Sequence, residues 1–178
     1  FQQVTVPVGA VVATTFQWDE PFASVGGMGS ASDLDFLVFG ADEATLVNAE
    51  IVVGGTDENI GADAVEFVLF ENDGSIDVDG IPGPDEVFNF AFELVNGPAP
   101  NVVKYIDFSQ GMLTVEEFDT QSSTIFGHPN AVGAASIAAS SFRNTPEFGV
   151  DPPLLNDFSS AGRTPIFFDT AGNRLAEP

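Results

Sequence analysis

Cysteine is absent from this 178-residue chain and basic residues are scarce: four Lys and Arg face 27 Asp and Glu, a formal charge of −23. Without cysteine there is no disulfide framework, thiolate metal site or thiol nucleophile. So large a negative charge repels a phosphate backbone and an anionic membrane surface alike, which excludes most nucleic-acid functions. Trp18 and Tyr105 are the sole residues of their kinds, too few for a broad sugar-stacking platform. No apolar run approaches the ~20 residues that span a bilayer, so no membrane span is expected. What is abundant is core material: 44% of residues are hydrophobic and 18 are phenylalanine. That composition separates the chain from acidic disordered segments. It predicts a folded protein kept soluble by carboxylates, as suits a salty or calcium-rich extracellular setting.

Residues 1–120 read as short β-rich runs separated by turn chemistry. Val4 to Val12 lead into Thr14-Thr15-Phe16-Gln17-Trp18, and Asp33 to Phe39 follow a glycine-rich loop. Leu46 to Val53, Val65 to Phe70, Val87 to Leu94, Val102 to Phe108 and Leu113 to Phe118 continue the series. Gly54-Gly55, Asn72-Asp73-Gly74, Pro82-Gly83-Pro84 and Gly97-Pro98-Ala99-Pro100 punctuate them and would break helices. Phenylalanine recurs at every second position over Phe88, Phe90 and Phe92, and Leu34, Phe36 and Val38 share one face, as core-facing strand positions do. The spacing predicts a two-sheet antiparallel β-sandwich, jelly-roll-like, over 1–120.

The character changes over 121–178. Ala131 to Ser141 is rich in alanine, with Val132 and Ile137 its largest apolar side chains. Small residues on both faces predict a tightly covered strand. Pro146, Pro152 and Pro153 follow in a loop-like stretch, then a hairpin-like run from Ile166 to Leu175. So short a Gly- and Pro-containing segment buries little apolar area alone and is expected to pack on something. Phe1 and Pro178 both read as cuts from a longer polypeptide.

Several motifs carry a resemblance. Gln17-Trp18-Asp19-Glu20-Pro21-Phe22, Asp33-Leu34-Asp35, Asn59-Ile60-Gly61 with Val65-Glu66-Phe67, and Gly97-Pro98-Ala99-Pro100 resemble a β-sandwich insert of bacterial subtilisin-like serine peptidases, of the pre-peptidase C-terminal type. Ser122-Ser123-Thr124-Ile125-Phe126-Gly127-His128-Pro129 is similar to the segment lining the primary specificity pocket of that family. Ala131 to Ala139 is similar to the core strand after it, and Phe158-Ser159-Ser160-Ala161-Gly162 to the next conserved-type segment. The resemblance implies that 121–178 is part of a subtilisin-like α/β catalytic core, with Ser123, Thr124, Ile125, Phe126, Gly127 and His128 as pocket wall. It implies a bacterial protein, secreted or on the cell surface, with the remainder of the parent peptidase as partner and a protein or peptide as substrate. The family's chemistry needs Asp, His, an oxyanion-stabilising Asn and a Gly-Thr-Ser nucleophile. No Gly-Thr-Ser occurs, and His128 matches the pocket segment. The chain alone is therefore expected to be inactive.

Other chemistry is weighed from the residues. No Gly-x-Ser-x-Gly elbow frames any serine near His128. Carboxylate pairs such as Asp33/Asp35 or Glu116/Glu117 arise from composition, so a glycosidase reading gains little. Gly26-Gly27-Met28-Gly29 lacks the lysine and helix of a phosphate loop. Ser75, Asp77, Asp79 and Glu86 fall at positions 1, 3, 5 and 12 of an EF-hand-like loop with Gly80 at position 6, which makes calcium the candidate ion. Pro82 and Pro84 interrupt that loop, and its flanks read as strands. The three arginines, all in the tail, read as anchors to carboxylates. The rival to the peptidase reading is a stand-alone extracellular sandwich that binds carbohydrate or protein, with calcium as an aid. A structural surface protein of a salt-loving organism is a third.

Overall fold

The computed structural model describes residues 1–40, 51–77, 83–120, 122–160, 162 and 164–176. Two compact units emerge, one of Phe1–Asp119 with Phe167–Glu177, the other of Thr120–Ile166.

The first unit is a β-sandwich. Its strands are β1 (Gln2–Thr5), β2 (Val11–Trp18), β3 (Asp33–Gly40), β4 (Ile51–Gly55), β5 (Val65–Glu71), β6 (Val87–Asn96), β7 (Val103–Asp107) and β8 (Thr114–Val115). One sheet runs β4-β3-β6-β1-β8 and the other β5-β2-β7. Every pairing is antiparallel. Alternation builds the interior directly. On β2, Val12, Thr14, Phe16 and Trp18 are buried and the residues between them are not. On β3 and β6 the alternating positions Leu34, Phe36, Val38, Phe88 and Phe90 close the opposite wall. Phe16 stacks on Phe92 with ring centroids 4.5 Å apart, and Phe36 meets Phe90 edge-on at 4.9 Å. Aromatic pairs of this kind add about 0.5–1.5 kcal/mol each beyond the area they bury. The last strand is shorter than the sequence predicts: of Leu113 to Phe118, only Thr114–Val115 pairs, with β1. Of the run Leu46 to Val53, residues 46–50 lie outside the described residues and 51–53 belong to β4.

Residues 167–176 form the hairpin-like turn that the sequence predicts. Phe168 bridges Arg174, and the Leu175 N–H donates to Phe167 O at 2.8 Å. The Asp169 carboxylate accepts from the N–H groups of Ala171 and Asn173 and from Asn173 Nδ2, at 2.8–3.0 Å.

The second unit has no sheet among its described residues. It contains three short 3-10 turns, His128–Asn130, Phe142–Asn144 and Pro146–Phe148, and one bridge, Ser140 with Leu155. No α-helix and no longer strand gives this unit α/β character among those residues. The covered strand expected over Ala131–Ser141 is instead exposed over 131–138, with Val132 and Ile137 88% and 90% exposed, and its one bridge is that of Ser140 with Leu155. Small side chains bring little apolar area of their own, and among the described residues of this unit no strand covers them.

Candidate functional site

The motifs that carry the sandwich resemblance converge at one set of loops. Trp18-Asp19-Glu20 leaves β2, Ser30-Ala31-Ser32 precedes β3, and Asn59-Ile60-Gly61 precedes β5. Ser30 forms a parallel bridge with Ile60, its N–H donates to Ala62 O and its carbonyl accepts from the Gly61 N–H, both at 2.8 Å. The approach is so close that a Cβ on Gly29 would stand 2.4 Å from the Gly61 carbonyl carbon. Glycine at 29 thus serves backbone packing, which accounts for the glycine-rich loop without a phosphate.

Two carboxylates organise this end. Glu20 accepts from the N–H groups of Ala31 and Ser32 at 2.8 and 2.9 Å, and from the Ser30 hydroxyl and Trp18 Nε1. Ser32 Oγ lies 2.9 Å from Glu20 and 2.5 Å from Pro98 O, so its one proton ties Glu20 or the Gly97-Pro98 turn. Asp19 accepts from the N–H groups of Asn101 and Val102 at 2.9 and 3.1 Å and from Asn101 Nδ2 at 3.3 Å. The Arg174 guanidinium completes it, donating to the carboxylate and, at 2.7 Å, to Asp19 O. Burial pushes both carboxyls up, but their hydrogen bonds outweigh it and hold both below the ordinary range: Arg174, Val102 and Asn101 for Asp19, Ser30, Ser32 and Ala31 for Glu20.

Glu66 is the opposite case. Its side chain is 1% exposed. Burial raises its carboxyl, against the opposing bonds from Asn59 Nδ2 at 3.0 Å and the Asp57 N–H, while Asp57 and Asp35 add like-charge repulsion. Asp35 is likewise raised, by burial and by Asp33 and Glu93. Asn59 spends its amide on Glu66, Asp63 O and Val65 O, and its N–H on Asp33. Sequence reading singled out Glu66 and Asn59 only as parts of a motif. Their burial had no separate signal among so many acids.

The residues that the resemblance marks as pocket wall lie in the second unit. Ser123 is half-buried, with its hydroxyl on that of Thr164, and Thr164 Oγ1 also donates to Ile125 O at 2.9 Å. Thr124 and His128 are exposed, and Phe126 is 49% exposed. Gly127 has φ +62° and starts the turn in which the Ala131 N–H donates to His128 O at 3.1 Å. Ser159 holds Ala139: its hydroxyl accepts from the Ala139 N–H at 3.1 Å, and the Asn156 N–H donates to Ala139 O at 2.9 Å. Side-chain hydroxyls thus tie Ser123 and Ile125 to Thr164, and Ala139 to Ser159.

Of the calcium loop, Asp79 lies outside the described residues. Ser75 turns its hydroxyl and N–H to Asp73, Asp77 is exposed, and Glu86 Oε1 accepts from the Val8 N–H at 3.0 Å. Glu86 Oε1 is thus engaged by a protein donor and the Ser75 hydroxyl is spent as a donor, and among the described residues no three acidic or histidine side chains gather as a ligand set. No described helix is long and apolar enough to cross a membrane.

No protein-family model, no curated protein and no solved structure matches this chain.

Proposed function

We propose that this chain is a non-catalytic segment of a secreted subtilisin-like serine peptidase, in which the sandwich modulates substrate access, stability or protein binding. The observation that carries the reading is the behaviour of the pocket-like segment and its successors. Ser123 and Ile125 join Thr164, and Ala139 joins Asn156 and Ser159, while the alanine-rich stretch between them stays exposed. That is what a piece of scaffold looks like when the strands that cover it belong to another part of a polypeptide.

The sandwich motifs support the same reading by what they do. Asp19, Glu20, Asn59 and Gly29 close loops and satisfy backbone groups, so their order in the chain reflects a fold rather than a reaction centre. On this reading the purified chain does not hydrolyse casein. Removing residues 1–120 from the whole enzyme, with a short linker in their place, alters turnover of folded protein substrates more than that of small chromogenic peptides. Equal effects on both classes, or casein hydrolysis by the chain alone, would reject it. Gly-Thr-Ser encoded downstream, with Asp and His motifs upstream, is the independent check.

A further inference from the structure

One contact in the sandwich unit has the chemistry of a receptor and its ligand. The Asp19 side chain is 1% exposed, whereas that of Arg174, which pairs with it, is 45% exposed. The carboxylate is positioned without the arginine: the N–H groups of Asn101 and Val102 hold Oδ1, and Asn101 Nδ2 reaches Oδ2, the oxygen that Arg174 also takes. The arginine adds a two-point grip, one nitrogen on the carboxylate and another on Asp19 O, the fork geometry of a planar guanidinium. The rings of Phe167 and Phe168 stack against the same guanidinium, at 5.4 and 5.6 Å.

The hairpin that presents Arg174 holds its own shape through Asp169, yet none of its described residues is buried. Its second foothold is backbone against backbone, since a Cβ on Gly172 would stand 2.9 Å from Gly27 Cα. Phe167, Phe168 and Leu175 are only half-buried, which leaves the arginine as the strap's one charged tether to the sandwich among the described residues.

We propose that Asp19, with its Asn101 and Val102 donors, is a preformed guanidinium-binding site, and that residues 167–176 are a detachable strap whose Arg174 occupies it. The ligand class is an arginine side chain displayed on a tight turn. In this chain the occupant is its own, so the strap closes or opens as one unit while the sandwich persists. The inference rests on the sandwich unit alone and stands or falls apart from the peptidase reading.

The test uses the full chain and hydrogen–deuterium exchange read by mass spectrometry. Arg174→Ala accelerates exchange over 167–176 by roughly tenfold or more, while exchange in β2, β3 and β6 stays at its wild-type rate. Ethylguanidinium at about 20 mM then binds the vacated site and raises the melting temperature of the Arg174→Ala chain. The same salt leaves the Asp19→Asn/Arg174→Ala chain unmoved. Arg174→Lys keeps the charge but loses the two-nitrogen fork, so it releases the strap more than wild type and less than Arg174→Ala. Unchanged exchange in Arg174→Ala, loosening of the whole sandwich together with the strap, or equal response of the single and double variants to ethylguanidinium would each overturn the proposal.

Discussion

Residues 1–119 and 120–166 are read off one polypeptide, both contain large apolar side chains, and they end in opposite physical states. The first region buries four phenylalanines completely, Phe16, Phe36, Phe88 and Phe90, between two sheets. The second has no fully buried residue among those described, and leaves Val132, Ile137, Phe142 and Phe158 exposed. The difference lies in patterning. Period-two alternation lets each strand give its aromatic face to the opposing sheet while its backbone pairs sideways. The second region has prolines, 3-10 turns and hydroxyl-mediated ties, which satisfy backbone groups locally but assemble no common face. Hydrophobicity sets how much core a chain can make, and alternation sets where it makes one.

Truncation should break the comparison most visibly. Phe36→Ala or Phe16→Ala removes a fully buried ring and lowers stability by about 3–5 kcal/mol. Ile137→Ala, at an exposed position, changes it by less than about 0.5 kcal/mol. Urea unfolding followed by circular dichroism measures both, and similar losses at the two positions would erase the contrast. Next comes Asp19→Ala, which strands the Asn101 and Val102 N–H groups and costs about 1–3 kcal/mol in the same assay.

The acid response follows from carboxylates pushed in opposite directions. Asp19 and Glu20 lie below their ordinary range in the folded chain, so they stabilise it above pH of about 4, and that contribution is lost as pH falls through their folded values. Glu66 lies above its ordinary range, so its ionisation opposes folding and acid relieves it. Glu66→Gln, an uncharged mimic of the protonated acid, should therefore gain stability over wild type at pH 7 and lose that advantage near pH 4. Thermal melts across pH follow it, and an advantage that grows toward acid would show the sign to be wrong.

Much of the first region was legible in the sequence because its signal is local. Phe88 and Phe90 on one face, and Leu34, Phe36 and Val38 on another, follow from counting by two. The scarcity of cations marked Arg174 as an anchor, although its partner could not be read, since Asp19 looks like any other of the acids. The buried pair of Asn59 and Glu66 was invisible for the same reason: burial of a carboxylate depends on loops brought together from β2, β3 and β5. In the second region, small residues on both faces suggested cover, and composition alone cannot say whether covering strands are present. The pocket-wall residues rested on resemblance, and nothing in their spacing announced the tie from Ser123 and Ile125 to Thr164.

Calcium should give the smallest effect. With Glu86 engaged by Val8 and Ser75 by Asp73, millimolar calcium raises the melting temperature by no more than about 2 °C. A larger gain that Asp77→Asn or Asp79→Asn abolishes would make the loop a calcium ligand set.

Brief digestion of the native chain with thermolysin, which cuts before large apolar residues, tests the contrast between the two regions most directly. The first cuts should fall before Val132 and Ile137 and leave the sandwich strands whole. First cuts inside β2, β3 or β6, with 131–139 untouched, would mean that the buried core and the exposed region have been assigned the wrong way round.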